Sequence, residues 1–124
     1  MNDPATFGIE DAVHENGSLV ACSLSGRAFL SLGAELFALE PHLYTVRLVA
    51  VQPYIEELAA CPHVARLRAL SLRGNRLGDD RMKLLLDSPQ MLALRELDLR
   101  GNNLSATMLA EVMAWAGDRC RVVA

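Results

Sequence analysis

The chain has 124 residues, of which 52% are hydrophobic and only 5% aromatic, and its net charge is −3. This length is typical of a single domain, so we expect residues 1–124 to form one, and a mildly acidic chain is not typical of nucleic-acid-binding proteins, which are usually basic. A membrane span needs about 20 consecutive apolar residues and a secretory signal needs a basic and an apolar segment, and the sequence contains neither.

The chain opens with a segment that we expect to cap the first of four strand–helix units. This segment covers residues 1–18. The strand pattern of the first unit starts near residue 19, and its first, fourth and sixth positions are apolar (Leu19, Cys22 and Leu24). A helical pattern then covers residues 27–39 and stops before Pro41. The apolar residues of the expected cap are Phe7, Ile9 and Val13.

The second unit starts near residue 43 with another strand pattern. Its helical pattern covers residues 53–60. Pro53 suits the first turn of a helix, because the missing N–H is not needed there. Pro62 is expected to end this helix.

The third and fourth units start near residues 67 and 94. The third has a helical pattern over residues 79–87, which Pro89 should end. The fourth has one over residues 106–116. We expect Ser105 to be the N-cap of this last helix and Gly117 to end it.

The third and fourth units repeat one motif in full. Residues 67–77 (LRALSLRGNRL) recur 27 positions later as residues 94–104 (LRELDLRGNNL). Both match L-x-x-L-x-L-x-x-N-x-L, and the period lies in the range of about 20–29 residues that is typical of leucine-rich repeats. The first two units keep the apolar positions but have Arg27 and Val51 in place of the asparagine.

Each position of the motif predicts a structural role. Leucines two apart on a strand point to the same side, so both leucines of L-x-L should be buried. The asparagine lies where the chain leaves the strand, and its amide can pair with backbone groups that burial would leave unpaired. The glycine before it permits a tight bend. These positions are Leu70, Leu72, Gly74 and Asn75 in the third unit and Leu97, Leu99, Gly101 and Asn102 in the fourth.

The order of strand, turn, helix and return predicts a right-handed β-α unit. Four such units stack into an α/β fold, a short leucine-rich-repeat solenoid with a parallel sheet on its concave side and helices on its convex side. Each unit buries its apolar face only against its neighbours, so both ends need caps. We expect residues 117–124 to cap the last unit, and Cys120–Val123 lie where a fifth strand would begin.

The spacing of 27 residues with a full helix in each unit resembles the ribonuclease-inhibitor-like class of leucine-rich repeats. More narrowly, residues 19–115 resemble bacterial leucine-rich-repeat proteins of the repeat-companion type, through Ala34–Pro41, Leu43–Leu48 and the two full repeats. Those proteins often carry a short N-terminal companion domain, which we do not see in this sequence. The resemblance implies a horseshoe scaffold that binds proteins, and it does not imply catalysis.

The candidate binding residues are those that alternate with the inward leucines, because they would line the concave face. Arginine is a frequent anchor of protein interfaces, which favours the charged members of this group. The residues that we select as the partner-binding set are Arg47, Ser71, Arg73, Glu96, Asp98 and Arg100, and the other outward residues are Ala21, Ser23, Ser25, Thr45, Val49 and Ala69.

Two of these arginines should lie next to each other. Arg73 and Arg100 occupy the same position of the motif, so neighbouring strands would place them about 5 Å apart. Like charges at that distance are unfavourable unless an anion pairs with them, and Glu96 and Asp98 can serve in part. Two interpretations stay open, a mixed-charge patch that recognises a protein and a solvated face whose charges neutralise one another.

A second basic cluster surrounds the third repeat but does not predict nucleic-acid binding. Its members point in several directions, acidic residues lie among them, and no aromatic residues interleave with them to stack bases. The basic residues are Arg66, Arg68, Arg73, Arg76, Arg81 and Lys83, and the acidic ones are Asp79 and Asp80.

The sequence gives little support to a metal or nucleophile site. Cys61 and His63 are close in the chain, but no second Cys/His pair lies at zinc spacing, and no third group is visible to orient a nucleophile. We therefore expect no metal, cofactor or catalytic residue. Three cysteines without close pairing, with Cys22 at a core position, indicate a reduced, cytoplasmic setting.

The leading hypothesis is a non-enzymatic protein–protein interaction module that uses the concave strand face. The partner is an unidentified protein, with no role for nucleic acid or membrane. One alternative is a targeting or accessory fragment of a larger bacterial protein or enzyme. Another is a self-associating scaffold, such as a homodimer formed through an end or the concave face, because short strand edges are open at both ends of a solenoid.

Overall fold

The computed structural model describes residues 7–124 and confirms the α/β class. Within that range, six strands form one sheet in the order in which they occur along the chain, and four α-helices alternate with the later strands. The strands are β1 (Glu10–Glu15), β2 (Ser18–Ser25), β3 (Thr45–Val49), β4 (Ala69–Ser71), β5 (Glu96–Asp98) and β6 (Arg121–Val123), and the helices are α1 (Gly26–Leu39), α2 (Ile55–Ala59), α3 (Gly78–Leu86) and α4 (Ala106–Ala116).

The strands from β2 to β6 pair in parallel, each with the next. Their partners are separated along the chain by intervals of 24, 24, 27 and 25 residues, which match the spacing of the sequence pattern. Equivalent positions of successive units therefore lie side by side. One such row contains Ala21, Thr45, Ala69, Glu96 and Arg121.

The predicted parallel sheet is wrong at its N-terminal edge, where β1 runs antiparallel to β2. The two strands form a hairpin through Asn16 and Gly17, whose positive φ angles of 52° and 82° suit a tight turn. The expected cap at residues 1–18 is thus partly a strand, and its residues 1–6 lie outside the described residues. Phe7 is buried, but Val13 is 49% exposed and does not contribute to the cap.

The helices lie close to the predicted positions, with one clear difference in the second unit. There a 3-10 helix (Gln52–Tyr54) precedes a short α2 instead of one continuous helix. Pro62 and Pro89 also do more than end a helix, because each begins a further 3-10 helix. Within residues 7–124, every helix is too short or too polar to span a bilayer.

The ends of α4 confirm the predicted capping. Ser105 Oγ accepts a hydrogen bond from the backbone N–H of Met108 at 3.0 Å, which satisfies one of the free donors of the first turn. Gly117 follows the helix with a φ of 51°, and its N–H donates to the Met113 carbonyl oxygen at 3.0 Å. Neighbouring helices contact one another in chain order, α1 with α2, α2 with α3 and α3 with α4.

One side of the sheet packs on the helices and forms the core. The four leucines of the L-x-L motifs are all buried, as predicted. The equivalent positions in the first two units are buried as well, so the degenerate units contribute to the same core. The buried strand residues are Cys22, Leu24, Val46, Leu48, Leu70, Leu72, Leu97 and Leu99.

The two motif asparagines confirm the predicted pairing with the backbone. Asn75 Nδ2 donates to the carbonyl oxygens of Leu72, in its own unit, and Leu48, in the preceding unit, at 2.8 and 2.9 Å. Its Oδ1 accepts from the N–H of Val51 at 3.0 Å. One buried amide thus joins the turns of two units.

Asn102 repeats this arrangement one unit later. Its Nδ2 donates to the carbonyl oxygens of Leu72 and Leu99, both at 2.9 Å. Its Oδ1 accepts from the N–H of Leu77 at 3.3 Å. Leu72 O therefore accepts from Asn102 in the next unit as well as from the asparagine of its own unit.

The glycine before each asparagine allows these turns to pack closely. Gly74 and Gly101 have φ angles of 74° and 73°, a region that favours glycine. A Cβ on Gly101 would lie 3.1 Å from the Gly74 backbone. The close approach of the two turns thus requires glycine at position 101.

The turns of the first two units are built without an asparagine. Val51 is fully buried, and its side chain fills the space above Gly26, where an added Cβ would lie 2.7 Å from Val51 Cγ2. Arg27 lies in the first turn of α1, which follows β2 directly and is capped by Ser25. Ser25 Oγ accepts from the Ala28 N–H at 3.0 Å.

Replacing a buried motif leucine should destabilise the protein. Leu99→Ala leaves a cavity beneath the sheet, and we expect a loss of about 2–5 kcal/mol in the free energy of unfolding. Leu92→Ala is the matched control, because Leu92 is 52% exposed and its replacement should change that energy by less than about 0.5 kcal/mol. Urea denaturation of both variants measures the difference, and equal losses would contradict the assignment of the sheet faces.

Replacing a motif asparagine should destabilise the protein without removing apolar packing. Asn102→Ala leaves the Leu77 N–H and the Leu99 carbonyl without their side-chain partner, and each such buried group costs about 1–3 kcal/mol. The Leu72 carbonyl keeps its hydrogen bond from Asn75. Glu111→Ala, on the exposed surface of α4, is the control and should have little effect. Denaturation midpoints test this, and an Asn102→Ala variant as stable as Glu111→Ala would show that the amide hydrogen bonds contribute nothing.

Candidate functional site

The side of the sheet away from the helices carries the candidate site, and we call it the open face. Side chains alternate along a strand, so residues next to the buried ones point to this side. Two rows of paired residues cross all six strands, and a shorter third row lies at their carboxyl ends. The first row is Val13, Ala21, Thr45, Ala69, Glu96 and Arg121, and the second is Glu10, Ser23, Arg47, Ser71, Asp98 and Val123. In the third, Ser25 pairs with Val49, and alternation assigns Arg73 and Arg100, two residues beyond Ser71 and Asp98, to the same level.

All six residues of the predicted partner-binding set lie on this face, and they are accessible to different degrees. Arg47, Arg73 and Arg100 are exposed, whereas Ser71, Glu96 and Asp98 are half-buried. Ser23, which alternation also places here, is buried between its neighbours in the sheet. Of these six residues, the three arginines are therefore the most accessible to a partner, and Ser71, Glu96 and Asp98 are less accessible.

Asp98 and Arg100 form the strongest ion pair of the open face. Arg100 donates to the two carboxylate oxygens of Asp98 through Nε at 3.0 Å and Nη2 at 2.7 Å. This two-point geometry matches the fork of a guanidinium group to a carboxylate. The side-chain hydrogen bond from Arg100 lowers the pKa of Asp98. The backbone N–H of Arg100 and the positive charge of Arg73 lower this pKa further.

Glu96 has a different partner from the one expected. It pairs with Arg121 on β6 at 3.4 Å, and not with Arg73 or Arg100. Residues Cys120–Val123, where a fifth strand was expected to begin, contain β6, and its register puts Arg121 on the open face next to Glu96. Two of the acidic residues and two of the arginines on this face are thus neutralised in pairs.

Arg73 and Arg100 lie side by side, as the motif predicted. The backbone hydrogen bonding between these two segments continues beyond β4 and β5. The Leu72 N–H donates to the Asp98 carbonyl oxygen at 2.9 Å, and the Gly74 N–H donates to the Arg100 carbonyl oxygen at 2.8 Å. Asp98 neutralises Arg100. Within residues 7–124, neither Arg73 nor Arg47 forms an ion pair.

A cavity of about 530 Å³ adjoins the open face near β1. It lies where β2 and β3 end and α1 begins, and its walls carry both signs of charge together with an apolar side. Carboxylates come from the β1 side and the guanidinium of Arg47 from the sheet. The lining includes Glu10, Asp11, Ser25, Leu32, Arg47 and Val49.

Cys61 lies in the core, and the half-buried His63 packs on aromatic side chains beside it. His63 stacks on Phe37 with the ring centroids 5.8 Å apart and meets Phe29 edge-on, while Cys61 is buried. Burial raises the pKa of the Cys22 thiol to about 11, so it is not an activated nucleophile. Among residues 7–124, no three His, Cys, Asp or Glu side chains come together in a way that could hold a metal ion.

Comparison of the chain with protein-family models, curated proteins and solved structures finds no significant match.

The pKa of Asp98 offers a direct test of the site geometry. We expect an NMR titration to give a value below the usual 3.8, so the ion pair stabilises the fold fully above about pH 3.8 and stops doing so as the pH falls through the lower folded value. Arg100→Gln should raise the pKa of Asp98 towards 3.8. Asp79, whose pKa is lowered by hydrogen bonds from Ser105, is the internal control and should not change. An unshifted Asp98 in the wild type would contradict the pairing.

Proposed function

We propose that the chain is a non-enzymatic protein–protein interaction module built as a right-handed leucine-rich-repeat solenoid of the ribonuclease-inhibitor-like class. The full repeats at residues 67–77 and 94–104 support the class, as does the regular stacking of the parallel strands β2 to β6. The open face is the feature that supports a binding function most directly. On it, the strands of successive units hold polar side chains in register above a leucine core.

Recognition by such a face would depend on its rigidity. The backbone under the open face is fixed by the strand pairing and by the amides of Asn75 and Asn102. A partner that binds there meets side chains whose spacing is already set, so little conformational freedom is lost in the scaffold. Exposed arginines suit this role because they combine charge, several donors and an apolar stem.

Two acidic residues serve as partners of hydrogen-bond donors. Hydrogen bonds from Ser105 lower the pKa of Asp79, and the hydrogen bond from Arg100 lowers that of Asp98. Both carboxylates are therefore charged at neutral pH, which suits the pairing of charges on a binding surface.

We further propose a cytoplasmic location. Cys22, Cys61 and Cys120 are all buried as free thiols, which suits a reducing compartment.

A bulky side chain on the open face should block binding whatever the chemistry of the partner. Ser71→Trp places a large ring in the middle of the face, and Ser31→Trp, on the exposed side of α1, is the matched control. We expect quantitative affinity capture from the cell of origin to recover at least tenfold less of the bound proteins with Ser71→Trp and an unchanged amount with Ser31→Trp. Equal denaturation midpoints would show that both variants are folded. Loss with Ser31→Trp alone would place the interface on the helical side and refute the proposal.

A further inference from the structure

Two arginines of the open face, Arg47 and Arg73, form no ion pair among residues 7–124. The carboxylate that the charge of Arg73 reaches, Asp98, is already paired with Arg100. Arg47 and Ser71 are Cα partners in β3 and β4, and Val49 and Arg73 lie two residues further along the two chains. We call these four residues the Arg47–Arg73 patch. With strands about 4.8 Å apart and a rise of about 3.3 Å per residue, the Cα atoms of Arg47 and Arg73 are roughly 8 Å apart along the diagonal.

The rest of the face limits what this patch can bind. Arg100 and Arg121 are occupied by Asp98 and Glu96, and Glu10 lies two strands from Arg47 in the same row. A long polyanion such as a nucleic acid would meet these carboxylates on both sides. A short anionic group can be bound at the patch alone.

The centre of the patch is partly apolar. Val49 is 40% exposed, and it follows Arg47 by two residues on β3, as Arg73 follows Ser71 beyond β4. Ser71 Oγ accepts from the Arg73 N–H at 3.4 Å, so this hydroxyl is held low against the sheet. The patch therefore combines two positive charges with an aliphatic surface between them.

We propose that the Arg47–Arg73 patch recognises an extended segment of the partner that carries two carboxylates on one side of its chain and an aliphatic side chain beside them. Residues two apart on an extended chain point to the same side about 6.6 Å apart, a separation that lets one carboxylate meet each guanidinium. Charge-assisted bonds of this kind are stronger than neutral ones. This inference rests on the proposed function, because it names the chemistry of the partner at the same face.

A peptide binding experiment tests this chemistry. The probe is a labelled twelve-residue peptide of the repeat Glu-Ser-Glu-Ser-Val-Ser, which places two glutamates two residues apart, with a valine beside them, on one side of an extended chain. Two comparison peptides carry glutamine or phosphoserine in place of glutamate. We expect the glutamate peptide to bind at least tenfold more tightly than the glutamine peptide, with an affinity that falls as salt is raised, because exposed charges are screened.

Three arginine variants locate the binding. Arg47→Gln and Arg73→Gln should each weaken binding of the glutamate peptide by about fivefold to tenfold, as expected for the loss of one exposed charge-assisted contact. Arg81→Gln, on the exposed surface of α3, is the matched control and should bind as the wild type does. All three should keep the denaturation midpoint of the wild type.

Several outcomes would overturn the inference. Equal binding of the glutamate and glutamine peptides, tighter binding of the phosphoserine peptide, or an equal loss with Arg81→Gln would each do so. The proposed function is tested separately through Ser71→Trp, which blocks the face by size. If that variant loses its partner while no glutamate peptide binds, the face is an interface but its ligand is not acidic.

Discussion

Buried backbone groups have to be hydrogen-bonded where the third and fourth units turn out of their strands, and the side-chain amides of Asn75 and Asn102 provide those bonds. Each amide donates to three carbonyl oxygens and accepts from one N–H, and its partners belong to two consecutive units. The turns are therefore fixed relative to each other as well as internally. Because the strands and helices extend from these turns, the register of the whole sheet from β3 to β5 follows from the same contacts.

The open face inherits its geometry from that register. Arginine and acidic side chains come from different units, yet their backbone positions are aligned, so Asp98 and Glu96 can each pair with a specific neighbour. What these pairs leave over is a local excess of positive charge around Arg47 and Arg73. The binding chemistry of the face thus depends less on how many charges it has than on which of them are already neutralised within the sheet.

Periodicity in the sequence predicted much of this architecture, because leucine spacing, proline positions and the two motif asparagines all report on local burial and backbone shape. It did not predict the N-terminal edge, where the hairpin depends on the turn residues Asn16 and Gly17 and not on a repeat of apolar positions. At the site, alternation placed all six predicted residues on one face. It could not predict that Glu96 pairs with Arg121, because that choice depends on how β6 docks against β5.

The hairpin strand β1 affects whether further molecules can add to the edge of the sheet. All six of its residues are exposed, it carries Glu10, Asp11 and Glu15, and its pairing with β2 is interrupted by irregularities. A charged, irregular outer strand is a poor template for the addition of another molecule's backbone. In a chain that is 52% hydrophobic, such an edge would guard the sheet against fibrous growth at the side where β2 would otherwise present a long run of free amides.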